Sequence, residues 1–170
     1  MLQQARWTQE VLAGTNADKI PASALMGGAG AGFTEGAVLV KNNAPEQSLP
    51  ATNGTPIYFP PVTEKYLVGV THSATDSSRL IVASTGKFLV ACGITVEPST
   101  AGNDEVQISL TTSVTTNQYQ TGAVPLGSYG GASMTTVLSL TAGNYVSLNA
   151  TPIFYTRKEV GAYLIVYRIG

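Results

Sequence analysis

The sequence is poorest in the residues on which most chemistry depends. It has one histidine, His72, and one cysteine, Cys92, among 170 residues. A histidine metal cluster is excluded, and so is an intrachain disulfide, and with it the disulfide-stapled extracellular scaffold. Charge is scarce as well, at 11% of residues with a formal net charge of −1. Such a chain has no basic field to attract nucleic acid or an anionic membrane surface, so neither is expected as a partner. No stretch reaches the ~20 apolar residues of a membrane-spanning helix, and Met1 to Gly14 holds no apolar run long enough for a signal-peptide core. The expectation is a soluble protein that leaves the cell, if at all, as part of a particle.

What is present in quantity is Gly, Ala, Thr and Ser, which suits exposed strand faces and turns but supplies little solubility through charge. A surface this neutral is expected to be covered by something. The length fits one main domain. Composition changes near Ile57. Before it, Arg6 to Leu12 is a candidate short helix, and Gly27 to Gly32 alternates glycine and alanine so thickly that it reads as an arm or linker. A brief apolar stretch, Ala37 to Val40, reads as a strand added to something else, and Pro45 to Pro56 as turns. The division is therefore an extended N-terminal arm over 1–56 and a folded domain over 57–170.

From Ile57 onward the period is two and never 3.6. Phe88, Val90, Cys92, Ile94 and Val96 share one face of a long strand, and Val106, Ile108, Leu110 and Val114 repeat the pattern. Met134 to Leu140 and Tyr145 to Ala150 flank a Gly-Asn turn and form a hairpin with Leu138, Leu140, Val146 and Leu148 inward. Tyr66 to Val70, Arg79 to Ala83 and Ile153 to Thr156 add shorter strands, whereas 117–131 reads as a loop region. The last strand is apolar on both sides, with Tyr163, Ile165, Tyr167 and Ile169 opposite Leu164 and Val166. Both faces must then be covered, the second by another copy of the chain or by its own arm. Eight to ten strands suit an all-β, two-sheet antiparallel sandwich of jelly-roll or immunoglobulin type. The immunoglobulin form lacks its Cys pair, and the only tryptophan, Trp7, lies in the arm.

Three segments carry a family resemblance: Arg79 to Val90, Val137 to Leu148 with its Leu-Thr-Ala-Gly-Asn-Tyr-Val-Ser-Leu hairpin, and Val160 to Ile165. Together they resemble the tumour-necrosis-factor-like jelly roll, which also includes the globular heads of complement's first component. Asn144 stands where that pattern usually has Asp, and Val160 replaces an aromatic. The resemblance implies a compact homotrimer, with Tyr163, Ile165, Tyr167 and Ile169 as candidate trimer contacts. Without signal peptide, collagen stalk or disulfides, the chain is most similar to tailed-phage decoration (cement) or head-fibre proteins. That likeness implies a virion protein made in the host cytoplasm, whose arm docks on the major capsid protein or another virion protein through Trp7, Val38, Leu39 and Val40. The alternative is a fibre-tip or lectin-like module recognising a host glycan through Tyr119 and Tyr129.

Nothing in the sequence assembles a catalytic constellation, and neither an enzyme nor a cofactor is expected. Thr71, Ser73, Asp76 and Ser77 surround His72, but triad members meet through the fold and not along a loop. Asp104 and Glu105 fall short of the six to eight oxygens calcium takes. The glycines at 28, 30 and 32 lack the strand, helix and lysine of a phosphate loop. Cys92 reads as a small core residue.

Overall fold

The computed structural model describes residues 35–51, 54–100, 102–113 and 116–170. The strands are β1 (Gly36–Leu49), β2 (Thr55–Pro56), β3 (Glu64–Val68), β4 (Val70–His72), β5 (Arg79–Val82), β6 (Gly86–Val96), β7 (Asp104–Thr112), β8 (Thr116–Val124), β9 (Gly130–Leu140), β10 (Tyr145–Pro152) and β11 (Arg157–Arg168). They form two antiparallel sheets. One runs β3-β1-β11-β6-β9, and the other β4-β5-β10-β7-β8 with β2 on the side of β10. The first is called the β11 sheet below and the second the β10 sheet.

The alternation read from the sequence decides which side chains face inward. Phe88, Val90, Cys92, Ile94 and Val96 from β6 are buried, as are Val106, Ile108 and Leu110 from β7, Leu140 from β9 and Val146 and Leu148 from β10. They meet Leu164 and Val166 of β11 and Phe59 of the β2–β3 connection in one core. Leu138 is half-buried at its margin, and Val114 lies outside the described residues. Truncating Phe59 or Phe88, both wholly enclosed, removes ~3–5 kcal/mol of packing.

The folded unit begins at Glu35, not at Ile57. The stretch expected to add to another molecule is the start of β1, which lies between β3 and β11 and pairs with β11 from Gly36↔Tyr167 to Asn42↔Gly161. Leu39 is wholly buried there. Leu39 serves the core and is not free to dock, whereas Val38 and Val40, on the alternate positions of β1, are half-buried on the other face of the sheet. Pro45, read as a turn signal, falls where the ladder shifts register between Asn42 and Gln47, the kind of bulge that admits a proline. Trp7 lies outside the described residues, as do the helix expected over 6–12 and the glycine run. The strand expected over 153–156 is a loop, the loop expected over 117–131 is mostly β8, and the two strands expected to form a hairpin across the Gly-Asn turn are β9 and β10, which lie in different sheets and do not pair with each other.

The two ends of the sandwich differ. At one end are Glu35 and the C-terminus. The Glu35 carboxylate accepts hydrogen bonds from the backbone N–H of Ala83 (2.7 Å) and Ser84 (3.2 Å) and from the Ser84 hydroxyl. The Gly170 carbonyl accepts from Lys87 N–H at 2.6 Å. At the other end lie the links β6–β7 (97–103), β8–β9 (125–129) and β10–β11 (153–156), as the ladders Val96↔Gly130, Asp104↔Val124 and Val106↔Pro152 require. Glu35 and the C-terminus are therefore on the opposite pole from these three loops.

Candidate functional site: an uncharged sheet face

Because β11 sits at the centre of its sheet, the residues beside it across the strands define its outer face. One row reads Tyr66, Val38, Ile165, Ala91 and Thr135 across β3, β1, β11, β6 and β9. The next, toward the termini, reads Val68, Gly36, Tyr167, Leu89 and Val137. Away from the termini come Val40, Tyr163, Gly93 and Ser133, then Asn42, Gly161, Thr95 and Gly131. None of these positions carries a charge. Val68 and Val137 are large apolar groups left about half exposed.

The tyrosines lie down on this face. A Cβ on Gly93 would stand 2.6 Å from the Tyr163 ring, and one on Gly36 would collide with the Tyr167 ring. The two glycines therefore let the rings rest on the sheet across β6 and β1. Tyr66 packs against Tyr167 with centroids 6.2 Å apart and planes tilted by 50°, a favourable aromatic geometry. Burial, and secondarily the Tyr66 phenol, push the Tyr167 hydroxyl pKa up from its ordinary value. Ile169 lies past the end of β11 and is half exposed, so three of the four candidate contact residues share the face and the fourth sits at its margin.

The outer face of the β10 sheet is the opposite in character. Its rows hold Arg79, Ser147 and Thr111, then Asn149 and Ser109, then Thr151, Gln107 and Thr121. Asn149 donates to the Thr111 hydroxyl at 2.6 Å, and the Arg79 guanidinium lies 4.3 Å above the Tyr145 ring. One sheet is finished for water; the other is not.

Tyr129 is about two-thirds exposed at the rim of a shallow cleft of about 480 Å³ on the β11 sheet, lined by Gly93, Thr95, Gly131, Ser133 and Tyr163 among others. Tyr119 is on β8, paired with Ser109, and its side chain lies outside the described residues.

His72, Asp104 and Cys92, weighed for chemistry, are held in structural roles. His72 Nδ1 is 2.6 Å from Glu64 Oε1 and its Nε2 is 2.9 Å from the Ser77 carbonyl, so the ring is a clamp between β3, β4 and the following loop. Asp104 accepts from the Arg157 guanidinium at 2.9 Å and from the backbone N–H of Glu105 (2.8 Å) and Phe154 (3.0 Å). Both of its oxygens are used. Burial pushes the Asp104 carboxyl up, but those N–H groups and Arg157 outweigh it and hold the pKa below the usual value. Burial raises the Cys92 thiol to about 12, which leaves no thiolate at neutral pH. Among the described residues no group of three or more His, Cys, Asp or Glu could hold a metal ion, and no helix is long and apolar enough to cross a membrane.

Comparison with solved structures places this two-sheet arrangement. The fold is the tumour-necrosis-factor-like jelly roll. Eiger TNF from S. frugiperda superposes with a TM-score of 0.55 at 14% identity over 80% of this chain and 92% of its own. The globular domain of zebrafish complement 1qA gives 0.56 at 12% identity over 80% and 98%. Murine APRIL gives 0.53 at 13% identity over 79% and 100%. No family model matches the sequence, and no curated protein matches it. At these identities what the TNF-like sandwich shares with its neighbours is the fold.

Proposed function

We propose that the chain is a structural virion protein: a homotrimer that decorates or cements a phage capsid, or forms a head fibre, with its N-terminal segment as the tether. The observation that carries the reading is the centre of the outer face of the β11 sheet, where four successive rows carry no charge and Lys87 stands only at the margin, set against a polar β10 sheet. A TNF-like sandwich with one water-finished face and one row of tyrosines and aliphatics buries the second against its own copies.

Two measurements test it. Light scattering on the full chain gives three chain masses, and Ile165→Asp, which sets a carboxylate in the centre of the uncharged face, gives one; a wild-type monomer overturns the trimer. An antibody raised against the chain labels the shell of purified particles, and a chain lacking residues 1–34 stays trimeric but no longer labels them. Absence from the particles overturns the virion role while leaving the trimer standing.

A second reading, recognition of a host glycan, is favoured by Tyr129 at the rim of the cleft, where an exposed ring stands beside Thr95 and Ser133. It predicts glycan-array binding that Tyr129→Ala and Tyr119→Ala abolish; a silent array removes it.

A further inference from the structure

We infer that the pole opposite Glu35 and the C-terminus is a docking site for a second protein, one with an apolar contact centre and a basic rim. The three loops at this end carry Leu126, Ile153, Phe154 and Tyr155, between 37% and 63% exposed. Four large apolar side chains on neighbouring loops exceed the scattered exposure of an ordinary surface. Beside Phe154 is a depression of about 310 Å³ walled by Ala123, Val124, Pro125 and Glu105, a size that accepts one protruding side chain.

The loops are built to hold their shape. Arg157 lies buried beneath them, donating to Asp104 at 2.9 Å and to the Ser99 hydroxyl at 2.7 Å, and Ser99 in turn donates to the Gly102 carbonyl. Asp104 takes the Phe154 N–H, and the Glu105 carbonyl takes the Ile153 N–H at 2.8 Å. The Ser99 carbonyl accepts from Gly127 N–H at 2.8 Å, and Asn103 Oδ1 from Leu126 N–H at 3.2 Å. The Arg157–Asp104 pair thus ties the β6–β7 and β10–β11 links together, and Ser99 and Asn103 hold the β8–β9 loop to them. Apolar groups displayed on a scaffold fixed before binding lose little freedom on docking, which is how a few aromatics come to dominate an interface.

Charge selects the partner. The groups around this end are Glu46, Glu97 and Glu105 with Lys158 alone in opposition, paired to Glu46 at 3.3 Å; Asp104–Arg157 and Lys41–Glu159 are buried pairs. Joining two copies end to end would set like carboxylates against each other, so the occupant is a different protein whose Lys or Arg residues face Glu97 and Glu105. Glu35 and the C-terminus are at the far pole, and the face of the β11 sheet that the proposed trimer would bury lies along the side, so trimerisation through that face leaves the site open.

The test is selection of a displayed random peptide library on the immobilised full chain. Recovered peptides are expected to combine an aromatic or leucine with flanking Lys or Arg. They bind the Leu126→Ser/Phe154→Ser variant at least ten-fold more weakly, and they weaken with added salt and with Glu105→Lys. All three substituted residues are on the surface, and an unchanged thermal midpoint and mass confirm the fold of each variant. Peptides that bind the double variant as well as wild type overturn the proposal, and so do peptides without basic residues or no enrichment at all. Association of wild type beyond its basic oligomer, lost in the double variant, would make the occupant a second copy and overturns it too.

Discussion

At the scale of the residue, the most informative side chains are charges in a chain that has few. Lys41 on β1 and Glu159 on β11 are almost wholly enclosed and face each other. Lys41 donates to Glu159 Oε2, Oε1 has no hydrogen-bond partner among the described residues, and burial, countered by Lys41, leaves the Glu159 pKa above its ordinary value. A buried pair of this kind contributes little beyond a well-packed apolar pair, yet removing one member strands the other. Lys41→Met is therefore expected to cost ~3–5 kcal/mol, and Lys41→Met with Glu159→Leu to recover most of it. Denaturant unfolding of the two single variants and the double variant measures the coupling. A double variant no more stable than the worse single would show that the pair does more than neutralise itself. None of this was legible beforehand, because a lysine in the first fifty residues read as part of an arm and gave no sign of a partner 118 positions away.

At the scale of the element, glycines separate what assembles from what folds. Gly93 and Gly131 lie near each other on β6 and β9, yet an added Cβ meets different neighbours. At Gly93 it meets the end of the Tyr163 side chain, which can swing away; at Gly131 it meets the Ile94 backbone carbonyl, which cannot. Gly131→Ala is expected to destabilise the fold by ~1–3 kcal/mol, as overpacking against fixed atoms does. Gly93→Ala is expected to keep the thermal midpoint within a few degrees while lifting the tyrosine off the sheet and weakening the proposed trimer. Thermal unfolding and light scattering on both variants separate the two effects, and equal loss of stability would remove the distinction.

The same scale shows why some strands were readable and others not. β6, β7 and β10 alternate residues that line the core with smaller or more polar ones, and the pattern is plain in the sequence. β8 is an edge strand of Thr, Gln, Asn and Gly with Val124 as its one wholly buried apolar side chain among those described, so its residues resemble a loop. β1 was hidden by Pro45 and by its distance from the strands it joins, since pairing with β11 links residues more than a hundred positions apart. Both faces of β11 could be read as apolar, but β1 beside it supplies Val38 and Val40 to the same outer face. The candidate contact surface therefore spans more strands than β11 alone suggested.

At the scale of the whole molecule, stability against acid depends on how far the loop pole relies on Asp104. Its carboxyl is held below the ordinary value, so the folded state binds its proton less readily than the unfolded chain. The stabilisation is then complete above the unfolded value, ~4, and is lost as pH falls through the depressed folded value. Asp104→Asn keeps an acceptor for the loop N–H groups but leaves Arg157 buried without a counter-charge, so the variant is less stable at neutral pH. The gap between wild type and variant should be constant from pH 7 to about 5, narrow below ~4, and close as wild-type Asp104 itself takes up a proton. Glu159, whose raised pKa acts in the opposite sense, and Asp76, lowered first by its Ser78 hydrogen bond, are present in both proteins and cancel in the difference. Thermal midpoints at matched concentration, so that assembly does not differ between samples, give the gap directly. A gap that holds or widens below pH 4 would mean that the carboxylate charge is not what ties the loops to Arg157.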